Sequence, residues 1–128
     1  MRLLPLVLIL AGCATAQAGG PTLEREALDR ELAARAAGPG ENCISAMPSS
    51  ASLTIVDSQT LTYRQGRTIW VNRLRDECPG LRPHDTLIVE MLSGSQYCRN
   101  DRFRTIEPGS SIPGPTCVLG DFIPYRTR

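Results

Sequence analysis

Four cysteines, Cys43, Cys78, Cys98 and Cys117, are spread through the C-terminal two-thirds of this 128-residue chain. They constrain what the chain can fold into more than any other feature. The closest two are nineteen residues apart, and the only histidine is His84. A protein zinc site draws on close pairs such as C-x-x-C, so no metal site is expected. An even set of well-separated cysteines in an exported chain reads instead as two disulfides. Two cross-links over so short a length hold together a small, loop-rich domain.

The N-terminus supports export. Arg2 is a charged start, and Leu3 to Ala11 is an apolar run with Pro5 inside it. Nine residues are too few to span a bilayer, which takes about 20, so the run is a targeting signal. It ends in Leu10-Ala11-Gly12-Cys13. This tetrad resembles the lipobox of bacterial lipoproteins. The resemblance implies cleavage after Gly12 and a lipid on Cys13, the fifth cysteine. Ala14 directly after that cysteine implies sorting to the outer membrane, facing the periplasm. A rival site, Ala16-Gln17-Ala18, fits the small-x-small rule of ordinary signal peptidase and would release a chain without lipid into the periplasm or medium. Both readings place the chain outside the cytoplasm.

Charge narrows the partners. The basic residues are all arginine, and 14 of them face 13 acids. Phosphate binding along a nucleic acid needs a basic excess, so no nucleic-acid partner is expected. Arginine without lysine suits recognition of anions through two donors at once. It equally reflects a GC-rich genome, since Ala, Gly and Pro are also frequent.

Residues 13–21 are small and polar and read as a lipidated tether. Residues 22–37, TLEREALDRELAARAA, read as a helix capped by Thr22 and stopped at Gly38-Pro39-Gly40. Glu26–Arg30 and Glu31–Arg35 are favourable i,i+4 pairs. Leu28 and Leu32 align, whereas Leu23 points away from both, so the apolar stripe is thin. The helix and the linker to residue 42 are expected to be a solvated spacer or a loosely docked element.

Residues 43–128 are expected to form the disulfide-stapled domain. Short β-like runs separated by turn residues occur at 53–57, 60–64, 67–74, 86–92, 102–107 and 118–123. A hairpin with Gln65-Gly66 at its tip would pair Tyr63 with Thr68 and Leu61 with Trp70. Leu61, Tyr63, Trp70 and Leu74 then share a core face, with Ile69 and Val71 on the other. The prolines, Pro124 included, are expected between strands or at their ends. No helical crossover separates the strands. The expected fold is mainly β: a small antiparallel barrel or sandwich of about six strands with two disulfides, preceded by one N-terminal helix. In a meander of these strands Cys78 and Cys117 fall at one end and Cys43 and Cys98 at the other. That favours 78–117 with 43–98, while 78–98 with 43–117 stays open.

No catalytic set, metal site or cofactor site is expected. His84 lies in the turn Arg82-Pro83-His84-Asp85, and no G-x-S-x-G surrounds a serine. Asp76, Glu77, Asp101, Glu107 and Asp121 are available carboxylates, and a glycosidase would need two of them across a cleft. Gly109, Gly114 and Gly120 read as turns rather than a phosphate cradle. Arg73 and Arg75 alternate at one strand end, and Arg102 and Arg104 along another. If those strands neighbour each other, four guanidinium groups share a face suited to an anionic envelope ligand.

Ile69-Trp70-Val71-Asn72-Arg73-Leu74, Cys78-Pro79-Gly80-Leu81, Cys98-Arg99-Asn100-Asp101 and Cys117-Val118-Leu119-Gly120-Asp121-Phe122, with Cys43-Ile44, form a recognisable set. It resembles a family of small exported bacterial proteins known only as a domain of unknown function. The resemblance spans about 43–125 and implies an exported, often lipoprotein-like setting. It carries no functional residues. Ser93-Gly94-Ser95-Gln96-Tyr97 resembles the Ser/Gly-rich loop of small lipidated lysozyme inhibitors, whose remaining motif is absent. The expected function is a non-enzymatic binding or structural module of the cell envelope, held to the membrane through Cys13, with an envelope protein or glycan as partner. The alternatives are a small carboxylate hydrolase of the envelope and an inhibitor of a secreted hydrolase.

Overall fold

The computed structural model describes residues 22–46 and 52–128. Within them the chain is mainly β, with one helix and ten strands in three antiparallel sheets. Helix α1 spans Leu23–Ala33. The strands are β1 Arg35–Ala37, β2 Cys43–Ser45, β3 Thr54–Asp57, β4 Thr60–Gln65, β5 Thr68–Arg73, β6 Thr86–Glu90, β7 Gln96–Cys98, β8 Arg102–Ile106, β9 Cys117–Val118 and β10 Phe122–Thr127. Their order is β1-β10-β5-β4-β3 in one sheet, β2-β7 in a second and β6-β8-β9 in a third. The sheets do not close into a barrel, and the strands outnumber the six expected. The additional ones are two or three residues long, below the length at which alternation is visible in sequence.

The five-stranded sheet is covered on both faces, and strand alternation decides what each face meets. Ile55, Leu61, Tyr63, Trp70 and Phe122 point to one side. There they pack with Ile44 of β2, Phe103 of β8, and Leu74, Leu81 and Leu119 from connecting segments. Val56, Ile69 and Val71 point to the other side and meet Leu28 and Leu32 of α1, with Tyr125 against them.

The helix is therefore part of the folded unit rather than a spacer. Thr22 caps it, its hydroxyl accepting from Arg25 N and donating to the Val56 carbonyl. It stops at Ala33, four residues earlier than its composition suggests. Arg35–Ala37 leave the helix to pair with Tyr125–Thr127 of β10, and Glu41 bridges to Phe122. An alanine-rich segment at a sheet edge gains more from ladder hydrogen bonds than from one further exposed helical turn. The first helical pair is Arg25–Asp29 rather than Glu26–Arg30, whereas Glu31–Arg35 forms as expected.

The β4–β5 hairpin turns on Gly66-Arg67, so Tyr63 faces Trp70 and Leu61 faces Asn72. Gly66 has φ +57°, the positive value that a II′ turn takes at its first central position. The register differs by two from the expected one, and a shift of two leaves every side chain on its face.

The expected strand at 118–123 splits, because Leu119-Gly120-Asp121 turns a corner between β9 and β10. Gly120 presses against β5 there, and a Cβ on it would lie 2.1 Å from the Arg73 carbonyl oxygen. Pro124 sits inside β10, between β5 and β1, not at a strand end. Its carbonyl accepts from Gly38 N at 2.8 Å, so its missing N–H faces the same side, just past the last β1 pair. No ladder bond is lost at that position.

The disulfides join Cys43 to Cys98 and Cys78 to Cys117. Cys43 and Cys98 lie directly opposite each other in β2–β7. Cys78 is held by its N–H on the Ser58 carbonyl, so the second bridge ties the β3–β4 turn region to β9. No helix among the described residues is long and apolar enough to cross a membrane.

Candidate functional site

Among the described residues, a groove of about 600 Å³ lies between the start of α1, the β3–β4 turn and the segment 77–83. Asp57 makes that turn by accepting the Gln59 N–H at 2.8 Å, and the Gln59 carbonyl accepts from Leu74 N. Arg25 projects from the first turn of α1 into the groove. Its Nη1 donates to Asp57 Oδ2 and to Thr60 Oγ1, both at 3.0 Å, and its Nε donates to Asp29 at 3.1 Å. Partial burial opposes its charge, and Asp57 and Asp29 outweigh that, holding the guanidinium pKa above its ordinary value. Across the groove the Ser58 hydroxyl donates to Glu77 at 2.9 Å. Arg25, Gln59, Thr60 and Arg73 line a smaller pocket of about 280 Å³ on the same side. Arg73 is exposed there, and its guanidinium makes no hydrogen bond or ion pair among the described residues.

The four candidate arginines do not converge. Arg73 lies on the helix side of the five-stranded sheet, and Arg75 is exposed in the segment that follows it. In β8, Phe103 and Thr105 are buried and Arg102 and Arg104 point out to solvent. The shared core thus lies between the two arginine pairs. Arg102 pairs with Glu90 at 3.6 Å, and Arg104 donates to Thr116 Oγ1 at 3.0 Å. The neighbour the fold gives Arg73 is Arg25, which the sequence presents as an ordinary helical charge. The Asx turn at Asp57 is the one local signal that could have pointed to this corner.

The carboxylates separate into two kinds. Asp101 is buried, and its Oδ2 accepts the Cys98 N–H at 2.8 Å in the turn where Asn100 adopts φ +71°. It shapes the corner. Glu107 is exposed and shares a cleft of about 410 Å³ with Asp85, but Arg82 is ion-paired with Glu107 and lies 3.8 Å from Asp85. His84 is exposed in the turn closed by Asp85 N on the Arg82 carbonyl. Ser93–Tyr97 contains a turn with Gly94 at φ +71°, after which Ser95 and Gln96 pair with β2 and its continuation. No group of His, Cys, Asp and Glu that could hold a metal occurs among the described residues. Cys13 lies outside them.

Compared with known proteins, the chain matches no family model, no curated protein and no solved structure.

Proposed function

We propose that this chain is an exported protein of the bacterial envelope, anchored at the outer membrane by lipid on Cys13 and facing the periplasm, whose folded part is a non-enzymatic binding or structural module. The observation that carries the reading is the pair of disulfides linking separate parts of the fold. Such bonds persist outside the reducing cytoplasm and stabilise small exported domains. Residues 13–21 can reach at most about 30 Å, so an anchor on Cys13 keeps the domain close to its membrane. Binding is favoured over turnover because Arg25 in the main groove is engaged by both Asp29 and Asp57 and holds that surface in shape. Carboxylate hydrolysis remains the second reading, on the single observation that Glu107 and Asp85 share a cleft. Arg82 is ion-paired with Glu107 in that cleft, so this carboxylate is already engaged.

The lipid anchor is tested by Cys13→Ser. Palmitate labelling is expected to disappear, and the protein to leave the membrane fraction. Continued membrane fractionation of that variant, or a wild-type N-terminus at Gly19, refutes the anchor. Affinity capture from native envelope is expected to return a specific protein or glycan. Glycan turnover lost in Glu107→Gln, with no specific partner captured, would replace binding with hydrolysis.

A further inference from the structure

Two arginines converge on one buried hydroxyl. Thr60 of β4 and Arg73 of β5 are direct cross-strand partners on the α1 side of the five-stranded sheet. Residues so placed hold their Cβ atoms about 5 Å apart. From the helix Arg25 reaches the same residue, its Nη1 donating to Thr60 Oγ1 at 3.0 Å. These three and Gln59 line the pocket of about 280 Å³.

The lining offers donors that no protein group takes. Thr60 is 1 % exposed, and its hydroxyl accepts from Arg25 but donates to no group among the described residues. A buried donor without an acceptor is costly. Arg25 engages Asp29 through Nε, and Asp57 and Thr60 through Nη1. Those bonds fix its guanidinium and leave Nη2 unengaged among the described residues. Arg73 engages none of its five side-chain N–H groups there. Asp29 and Asp57 balance the charge of Arg25, so the charge of Arg73 is the one without a counter-ion. No carboxylate among the described residues lines the pocket, and the Gln59 amide is held by donating Nε2 to the Leu74 carbonyl.

We propose that this pocket binds a phosphoryl group, with Arg25, Thr60 and Arg73 each donating to one of its oxygens. A phosphate monoester presents three terminal oxygens in a tetrahedron, one for each of the three donor groups. A carboxylate presents two in a plane, which a single guanidinium fork satisfies. The volume lies below the roughly 300–1,000 Å³ of a small-molecule site, so the phosphoryl group enters as one part of a larger molecule. The inference rests on the binding reading above and names the chemistry of what is bound. Two sources offer this group in an envelope: the headgroup of a phosphorylated lipid and a soluble phosphate ester.

The test uses the full mature chain purified from the producing cell in non-ionic detergent, at neutral pH and about 150 mM sodium chloride, which screens unspecific attraction. Inorganic phosphate is titrated in while arginine Nε–Hε resonances are followed by NMR. Saturable movement of the Arg25 and Arg73 signals is expected, with none when chloride is added to equal ionic strength. Arg73→Gln is expected to weaken binding at least tenfold with the thermal midpoint unchanged. Arg104→Gln removes the same charge across the core and is expected to leave binding within about twofold. Thr60→Val is expected to weaken it, and Thr60→Ser to restore it. Two competitors decide the source. Displacement of phosphate by micelles doped with phosphatidic acid, but not with phosphatidylcholine, makes the group a lipid headgroup; displacement by glycerol 3-phosphate alone makes it a soluble ester. No saturable movement, equal loss in Arg73→Gln and Arg104→Gln, or displacement by neither ester overturns the proposal. None of these readouts needs lipid on Cys13 or a captured partner, so failure of the pocket and failure of the envelope reading are told apart.

Discussion

Asn72 and Gly120 are joined by two hydrogen bonds of 2.8 Å, Nδ2 to the Gly120 carbonyl and Gly120 N to Oδ1. Both groups are buried, and the amide serves as a piece of strand where β9 gives way to β10. Asparagine is needed because it offers a donor and an acceptor on one planar group. Glycine is needed because any Cβ would collide with the Arg73 carbonyl. Asn72→Ala strands the Gly120 N–H and C=O without water or partner, at an expected cost of about 2–4 kcal/mol. Urea unfolding followed by tryptophan fluorescence checks this, and an unchanged midpoint refutes the clamp. Neither residue announces this role in the sequence. Asn72 reads as an ordinary strand position and Gly120 as a turn, because the pairing spans 48 residues.

At the scale of elements, α1 shows how a weak local signal becomes decisive. Its apolar stripe consists of Leu28 and Leu32, yet these two close the second face of the sheet over Val56, Ile69 and Val71. An ion pair adds to this docking. The Glu31 carboxylate accepts two bonds of 2.8 Å from Arg64 of β4 and one of 3.3 Å from Arg35. The Arg64 hydrogen bond is the main cause that holds this carboxyl below the ordinary carboxylate range. Its contribution is therefore full above the unfolded value and is lost as pH falls through the folded one. The pair is half-exposed and weak; burial of the leucines matters more. Leu28→Ala is expected to cost about 2–4 kcal/mol, whereas Leu23→Ala, at an 80 % exposed position, should stay within about 0.5 kcal/mol. Thermal unfolding of the two variants separates a docked helix from a spacer: equal midpoints would mean that α1 contributes nothing.

For the whole molecule, the two disulfides interleave along the chain, closing loops of 55 and 39 residues. Loop entropy assigns each about 4 kcal/mol, much of the 5–15 kcal/mol margin of a small domain. Replacing Cys78 and Cys117 together by serine is expected to lower the thermal midpoint by more than 10 °C, read by calorimetry against the oxidised protein. A shift of a few degrees or less would mean that packing alone holds the 77–83 segment. The same segment forms one wall of the main groove, so loss of the bridge should also raise proteolysis there.

The mainly β character, the hairpin faces, the Leu28–Leu32 stripe and the structural use of four cysteines were legible in the sequence. Each depends on local periodicity or on the chemistry of one residue type. Only the tertiary structure decided that the helix docks, that Arg35–Ala37 pair as a strand, and that Pro124 is tolerated inside a sheet. It also set Arg73 beside Arg25 rather than near Arg102 and Arg104. These outcomes depend on which distant segments lie side by side, and a ladder bond or a buried contact across 30–90 residues leaves no period in the sequence to read.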